Sequence, residues 1–187
     1  MKGIKQLWQD PAVRFAAIFI SLFVLFDLTC LALYGLSLPG NNYSQLVADY
    51  LNIVYGLRWL LLHASRFFLV LMGHTTVINE SQLLVAGHAR LLLNYKCLGL
   101  GVMSFFTAFV IAFPKPLRQK LLFLICGLIT IQLLNVIRIV LLALYWHRAA
   151  NYFTDQHTIF DIVVYLVVIA GLYFWMRSNS TNANAAN

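Results

Sequence analysis

An all-α membrane protein is the fold class this sequence predicts, and three observations predict it. Hydrophobic residues make up 61% of the 187 and charged residues only 10%, where soluble domains run at roughly 45–50% and about 25%. A soluble fold of this size cannot hide so much apolar surface, so lipid must solvate part of it. The apolar residues also come in runs of spanning length. The basic residues, which bring the net charge to +7, sit in short clusters beside those runs, as topology signals do. That placement argues against nucleic acid as a partner and for a basic face at the bilayer surface.

Residues 1–14 carry Lys2, Lys5 and Arg14, with Trp8 as an interface anchor, and read as a cytoplasmic leader. Residues 15–36 are long enough to span, at a cost imposed by Asp27. The run is too long for a signal-peptide core and lacks a small-residue cleavage site, so it is expected to stay as an anchor. "SLPGNNYS" breaks the pattern with Pro, Gly and Asn. Three further apolar stretches follow at 98–113, 121–145 and 159–176. Between the first two lies "PKPLRQK", with Lys115, Arg118 and Lys120 in one short loop.

Segment 42–73 is helical in pattern but is interrupted by Arg58, His63 and Arg66, which leave an apolar face opposite. It is expected to be an amphipathic or re-entrant helix at the outer face. Residues 74–95 alternate polar and apolar around "AGHA" and predict a short extracytoplasmic hairpin. The expectation is therefore a bundle of about four transmembrane helices, plus that outer helix and hairpin, with both termini inside. Residues 1–176 read as a single membrane-embedded domain, and 177–187 as a disordered polar tail.

Placing "PKPLRQK" in the cytoplasm puts the far ends of both flanking helices outside. Cys97 then stands at the outer mouth of the 98–113 stretch. Arg138 lies 17 residues beyond Leu121, about 25 Å along a helix, which brings it near the same leaflet. His157 opens the last stretch on that side.

Arg138 is the strongest anomaly. An arginine inside "LLNVIRIVLLAL" costs about 2.5–3.5 kcal/mol on insertion scales, so it is expected to face the bundle interior. It would pair there with Asp161 or Asp27, snorkel to the outer headgroups, or serve as a fixed cation beside a thiolate or oxyanion. Asn135, at i−3, lies on the same helix face. Cys97 has Lys96 beside it, and nearby cations favour the nucleophilic thiolate over the thiol. Gly99 and Gly101 allow close backbone approach and free N–H groups at a helix start. His157 suits acid–base work near neutral pH, with Asp155 or Asp161 to orient it and His147 as the second choice.

Cys30 and Cys126 fall inside apolar runs and read as small hydrophobes. No disulfide framework is indicated. His63, His74 and His88 lack partners at metal spacing, so no metal site and no cofactor are expected.

The run "YKCLGLGVMSFFTAFVIAFPKPLRQKLLFLICGLITIQLLNVIRIVLLAL", followed by "HTIFDIVVYLVVIAGLYFW", resembles the exosortase/archaeosortase family of membrane-embedded cysteine transpeptidases. The family pattern is Cys-x-Gly at an outer membrane edge, a basic loop, Asn-x-x-Arg in the next helix, and a histidine opening the last. Cys97 and Gly99 match the first motif, Asn135 and Arg138 the second, and His157 the third. The resemblance covers roughly residues 70 to 176. It departs at Leu98, where many members carry a small residue, and in having fewer spans before the cysteine, as a compact member would.

The resemblance implies a Cys97–Arg138–His157 triad. It would act on the C-terminal sorting signal of exported proteins, at the outer face of a prokaryotic cytoplasmic membrane. It would pass through a thioester and transfer the product to a lipid or surface acceptor. Two other classes compete. One is a non-catalytic assembly factor gripping anionic lipid or a polysaccharide-export partner. The other is a transporter subunit, which the sequence weakens by offering no inverted repeat and no acidic relay.

Overall fold

The computed structural model describes residues 10–37, 53–87, 90–93, 95–145 and 156–178, the side chains of 96 and 156–159 excepted. Residues 1–9 of the expected leader, "LPGNNYS", most of the expected tail, His88, His147 and Asp155 lie outside the described residues. The chain forms two compact units, 1–147 and 148–187. The first holds helices α1 (Pro11–Ser37), α2 (Ile53–Leu71), α3 (Leu100–Ala112) and α4 (Leu117–Tyr145), with strands β1 (Thr76–Ile78), β2 (Gln82–Val85) and β3 (Leu91–Leu92). The second holds α5 (Gln156–Arg177).

Among the described residues, four helical segments are long and apolar enough to cross a membrane: Pro11–Ser37, Ile53–Leu71, Leu117–Tyr145 and Phe160–Arg177. The protein is a multi-pass, all-α membrane protein. The membership of this set differs from the sequence pattern in one place. The 98–113 stretch forms only the 13-residue α3, about 20 Å long at 1.5 Å per residue, while α2 meets the length criterion instead. Both ends of α3 have a local cause. Gly99 precedes it in the left-handed region, at φ 70°, and Pro114 holds Phe113 extended at ψ 134°.

α1 has no buried residue. It leans on α3 through a ladder of rings. Phe15 meets Phe109 edge-on at 5.3 Å, Phe19 meets Phe105 at 5.4 Å, and Phe23 meets Phe105 at 6.1 Å. Such geometry contributes about 0.5–1.5 kcal/mol per pair beyond burial, which matters where lipid removes the hydrophobic drive between helices. On its other side α3 inserts Phe106 against Gly127 of α4, and a Cβ at that glycine would collide with the ring.

α2 is turned inside out relative to a soluble helix. Its covered side holds Arg58 and Ser65 with Val54, Leu61, Leu62 and Leu69, while Leu60, Phe67, Phe68 and Leu71 are exposed. It ends where Gly73 enters the left-handed region at φ 87°. The His74 and Gly73 amides then return to the Leu69 and Val70 carbonyls at 3.0 and 2.9 Å, closing the helix as glycine caps do.

Residues 76–92 form a three-stranded sheet, in which β2 and β3 flank "AGHA", where a hairpin turn is expected, and β1 adds a strand that the sequence pattern does not give. β1 and β2 pair antiparallel with Thr76 opposite Val85, and β2 pairs antiparallel with β3 with Leu83 opposite Leu91. Alternation sends Leu83, Val85 and Leu91 to the covered face and leaves Leu84 and Leu92 exposed. The sheet packs on α2 and α4. The centre of the first unit is thus Leu61, Leu69, Leu83, Leu93, Leu98, Ile131 and Ile139, all nearly inaccessible.

Candidate active site

After β3 the chain makes a single 3₁₀ turn, Tyr95–Leu98, before α3 starts. Cys97 sits in that turn and is 4% exposed. Its neighbour across the packing is the second half of α4, which faces the core with Ile131, Asn135, Val136, Arg138 and Ile139. The Arg138 Nη2 donates toward the Cys97 Sγ at 4.0 Å, in a buried setting. Two groups 41 positions apart in sequence therefore meet, as the depth argument expects. Arg138 is 3% exposed, so it is held inside rather than snorkelling to headgroups.

Asn135 is the piece that fixes the turn. It is 2% exposed, and its Nδ2 donates to the Leu98 carbonyl at 3.3 Å and to Gln132 Oε1 at 3.3 Å. Gln132 in turn donates from Nε2 to the Met103 sulfur of α3 at 2.6 Å. The side-chain amide thus reaches the backbone of the residue next to the thiol. A Cβ on Gly99 would run into the Asn135 amide nitrogen and stand 3.2 Å from its Cγ. Glycine at 99 is required twice, for its positive φ and for this approach. Spacing puts Asn135 on the helix face of Arg138, but its contacts are to the turn and to Gln132, a partner that the sequence analysis does not single out. The signal was available, since Gln132, Asn135 and Arg138 are polar at three-residue spacing in an otherwise apolar run.

A second polar group collects where α1 meets α3. The Cys30 Sγ lies 3.8 Å from the Ser104 Oγ, and the Asp27 Oδ1 is 3.8 Å from the place a Cβ of Gly101 would take. Tyr95 packs edge-on against Tyr34 at 5.0 Å, with its hydroxyl buried and lacking a hydrogen-bond partner among the described residues. Burial, and then the negative charges of Asp27 and Cys30, push this phenol above its ordinary range. Cys30 is half-buried and Cys126 exposed, so of the three thiols only Cys97 is enclosed.

His157 is the second residue of α5, in the second unit, and its side chain lies outside the described residues, as does that of Lys96.

The arrangement can hold a sulfur nucleophile beside a permanent cation, shielded from water, with the first turn of α3 immediately downstream. Gly99 offers no side-chain cap to that turn, and a helix start left without one is a place where backbone amides can receive an anion. No curated protein and no solved structure matches the chain. The family model of transmembrane exosortases matches residues 24–174, a span that takes in Cys97, Gly99, Asn135, Arg138 and His157, and on that match the chain belongs to the transmembrane exosortase family.

Proposed function

We propose that the protein is a membrane cysteine transpeptidase that cleaves the C-terminal sorting signal of exported proteins at the outer face of the cytoplasmic membrane. The observation that supports this most is the buried 4.0 Å approach of Arg138 to the Cys97 sulfur. A filler cysteine has no use for an arginine brought into the bundle at several kcal/mol.

In this reading the Cys97 thiolate attacks the carbonyl carbon of the scissile peptide bond. The oxyanion that forms is met by the Arg138 guanidinium and backbone amides at the start of α3. Collapse breaks the C–N bond, and the leaving amine takes a proton from the imidazolium of His157, assigned by the family pattern. A thioester on Cys97 results. An amine or hydroxyl acceptor at the membrane surface then passes its proton to His157 and attacks the thioester carbonyl. The thiolate is released and the new bond stays on the product. Asn135 and Gly99 hold the turn that aims the sulfur.

The test is co-expression with an exported reporter whose C-terminus carries a short motif, an apolar span and a basic tail. Cys97→Ser is expected to abolish processing, and Arg138→Lys to reduce it at least about tenfold, because a point charge does not reproduce the planar fork. Cys30→Ser and Cys126→Ser should process normally. Normal processing by Cys97→Ser, in protein that extracts as a folded species, overturns the reading.

A further inference from the structure

Away from Cys97, the first unit has a cleft of about 370 Å³ between α2 and the β1–β2 turn, within the roughly 300–1,000 Å³ typical of ligand sites. Tyr55, Trp59, His63 and Arg66 line it from the helix, and Asn79 and Glu80 from the turn. The turn is held closed by the Asn79 amide donating to the Gln82 carbonyl at 2.9 Å. On the helix, the His63 Nδ1 donates to the Trp59 carbonyl at 2.8 Å, and the two ring centroids lie 4.0 Å apart with the planes tilted by 30°.

Two features say what the cleft is built for. Arg66 and Glu80 face it from opposite walls, yet among the described residues neither has an ion-pair partner, including each other. Opposite charges kept apart across a cavity suit a ligand that carries both signs. The second feature is depth. Among the described residues the sheet packed on α2 is open, with β1 and β3 as its edges, and hydrocarbon does not tolerate unpaired strand edges. The stretch of α2 beside the sheet therefore belongs at the headgroup level, where exposed Trp59 is at home. Leu60 and Phe67, also exposed, continue the surface toward the acyl chains.

We propose that this cleft binds the headgroup of a zwitterionic phospholipid, its phosphate on Arg66 and its amine on Glu80, with the acyl chains along the exposed side of α2. Glu80 is the selective element, since it repels a purely anionic headgroup. The site stands independently of whether Cys97 is a nucleophile.

Native mass spectrometry of the full chain, extracted with equal amounts of phosphatidylethanolamine and phosphatidylglycerol, tests this. The wild type and Cys97→Ser are both expected to retain phosphatidylethanolamine preferentially, by about tenfold, the worth of one charge-assisted contact. Glu80→Gln should erase or invert that preference while keeping lipid bound, and Arg66→Gln should lower retention of both lipids. Arg66→Lys should restore retention. Soluble glycerophosphoethanolamine should fail to displace the lipid at matched concentration. A wild-type preference for phosphatidylglycerol, a preference indifferent to Glu80→Gln, or full displacement by the soluble headgroup would each overturn the assignment.

Discussion

Leu117, Leu121, Leu122, Ile125 and Ile129, in the first half of α4, are exposed, whereas Ile131, Ile139, Leu142 and Ala143, in the second half, are almost wholly covered. Both halves carry long aliphatic side chains, and Leu133 and Ile137 of the second are exposed too, so apolarity does not mark the core of this molecule. What separates them is buried polarity, because the polar Arg118 and Gln119 of the first half are exposed at its start. Asn135 and Arg138 lie only in the covered half, alongside α2, the sheet and the turn that carries Cys97. In lipid an aliphatic side chain is content on either side of a helix, while a polar one must be taken inward and matched.

The sharpest way to break that comparison is the same truncation in both halves. Leu142→Ala opens a cavity that neighbouring side chains cannot fill and should cost about 2–5 kcal/mol. Leu122→Ala leaves a dent that lipid fills, and should change stability by less than about 0.5 kcal/mol. Thermal unfolding of the two variants in one bilayer mimic compares them directly, and equal losses would show that the halves share one environment. Next in size is Gly99→Ala. A non-glycine residue in the left-handed region costs about 1–3 kcal/mol, and here the new methyl also displaces the Asn135 amide. Processing should fall with stability, and Asn135→Ala in the same chain should return part of the stability, a non-additive pair. Additive losses would separate the turn from α4.

The smallest effect concerns the α1 side. Because Tyr95 is held neutral by burial and by nearby negative charge, its folded value lies above its unfolded one. Its contribution is therefore complete below about pH 10 and is lost as pH rises through the folded value. Tyr95→Phe should flatten the alkaline limb of a stability profile and leave the neutral region unchanged. An unaltered alkaline limb would show that the phenol does not titrate in the fold.

The long spans were legible because a run such as 121–145 carries its own evidence: length, apolarity and a basic loop at one end. The meeting of Cys97 with Arg138 was legible too, through depth, since the basic segment "PKPLRQK", whose last four residues form the first turn of α4, fixes a common zero for both helices. The short course of α3 was harder to see, because hydropathy counts Phe113 and Leu98 as span while backbone geometry at Gly99 and Pro114 excludes them. The strand that escaped notice is β1, because the turn "AGHA" falls between β2 and β3, while the β1–β2 turn at Asn79–Ser81 carries neither Gly nor Pro and its register is set by the pairing of Thr76 with Val85. The role of Asn135 was half read. Its face follows from spacing, but its partner, a backbone carbonyl 37 residues away, leaves no mark in sequence.

That single link from Asn135 to the Leu98 carbonyl also restricts how the molecule can move. Advancing α4 by one residue would swing its side chains through about 100°, carrying the amide off the turn and the guanidinium off the sulfur together. The helix therefore cannot ratchet without breaking both contacts at once, and the register of α4 is tied to the turn at two points, one a backbone carbonyl and the other a sulfur.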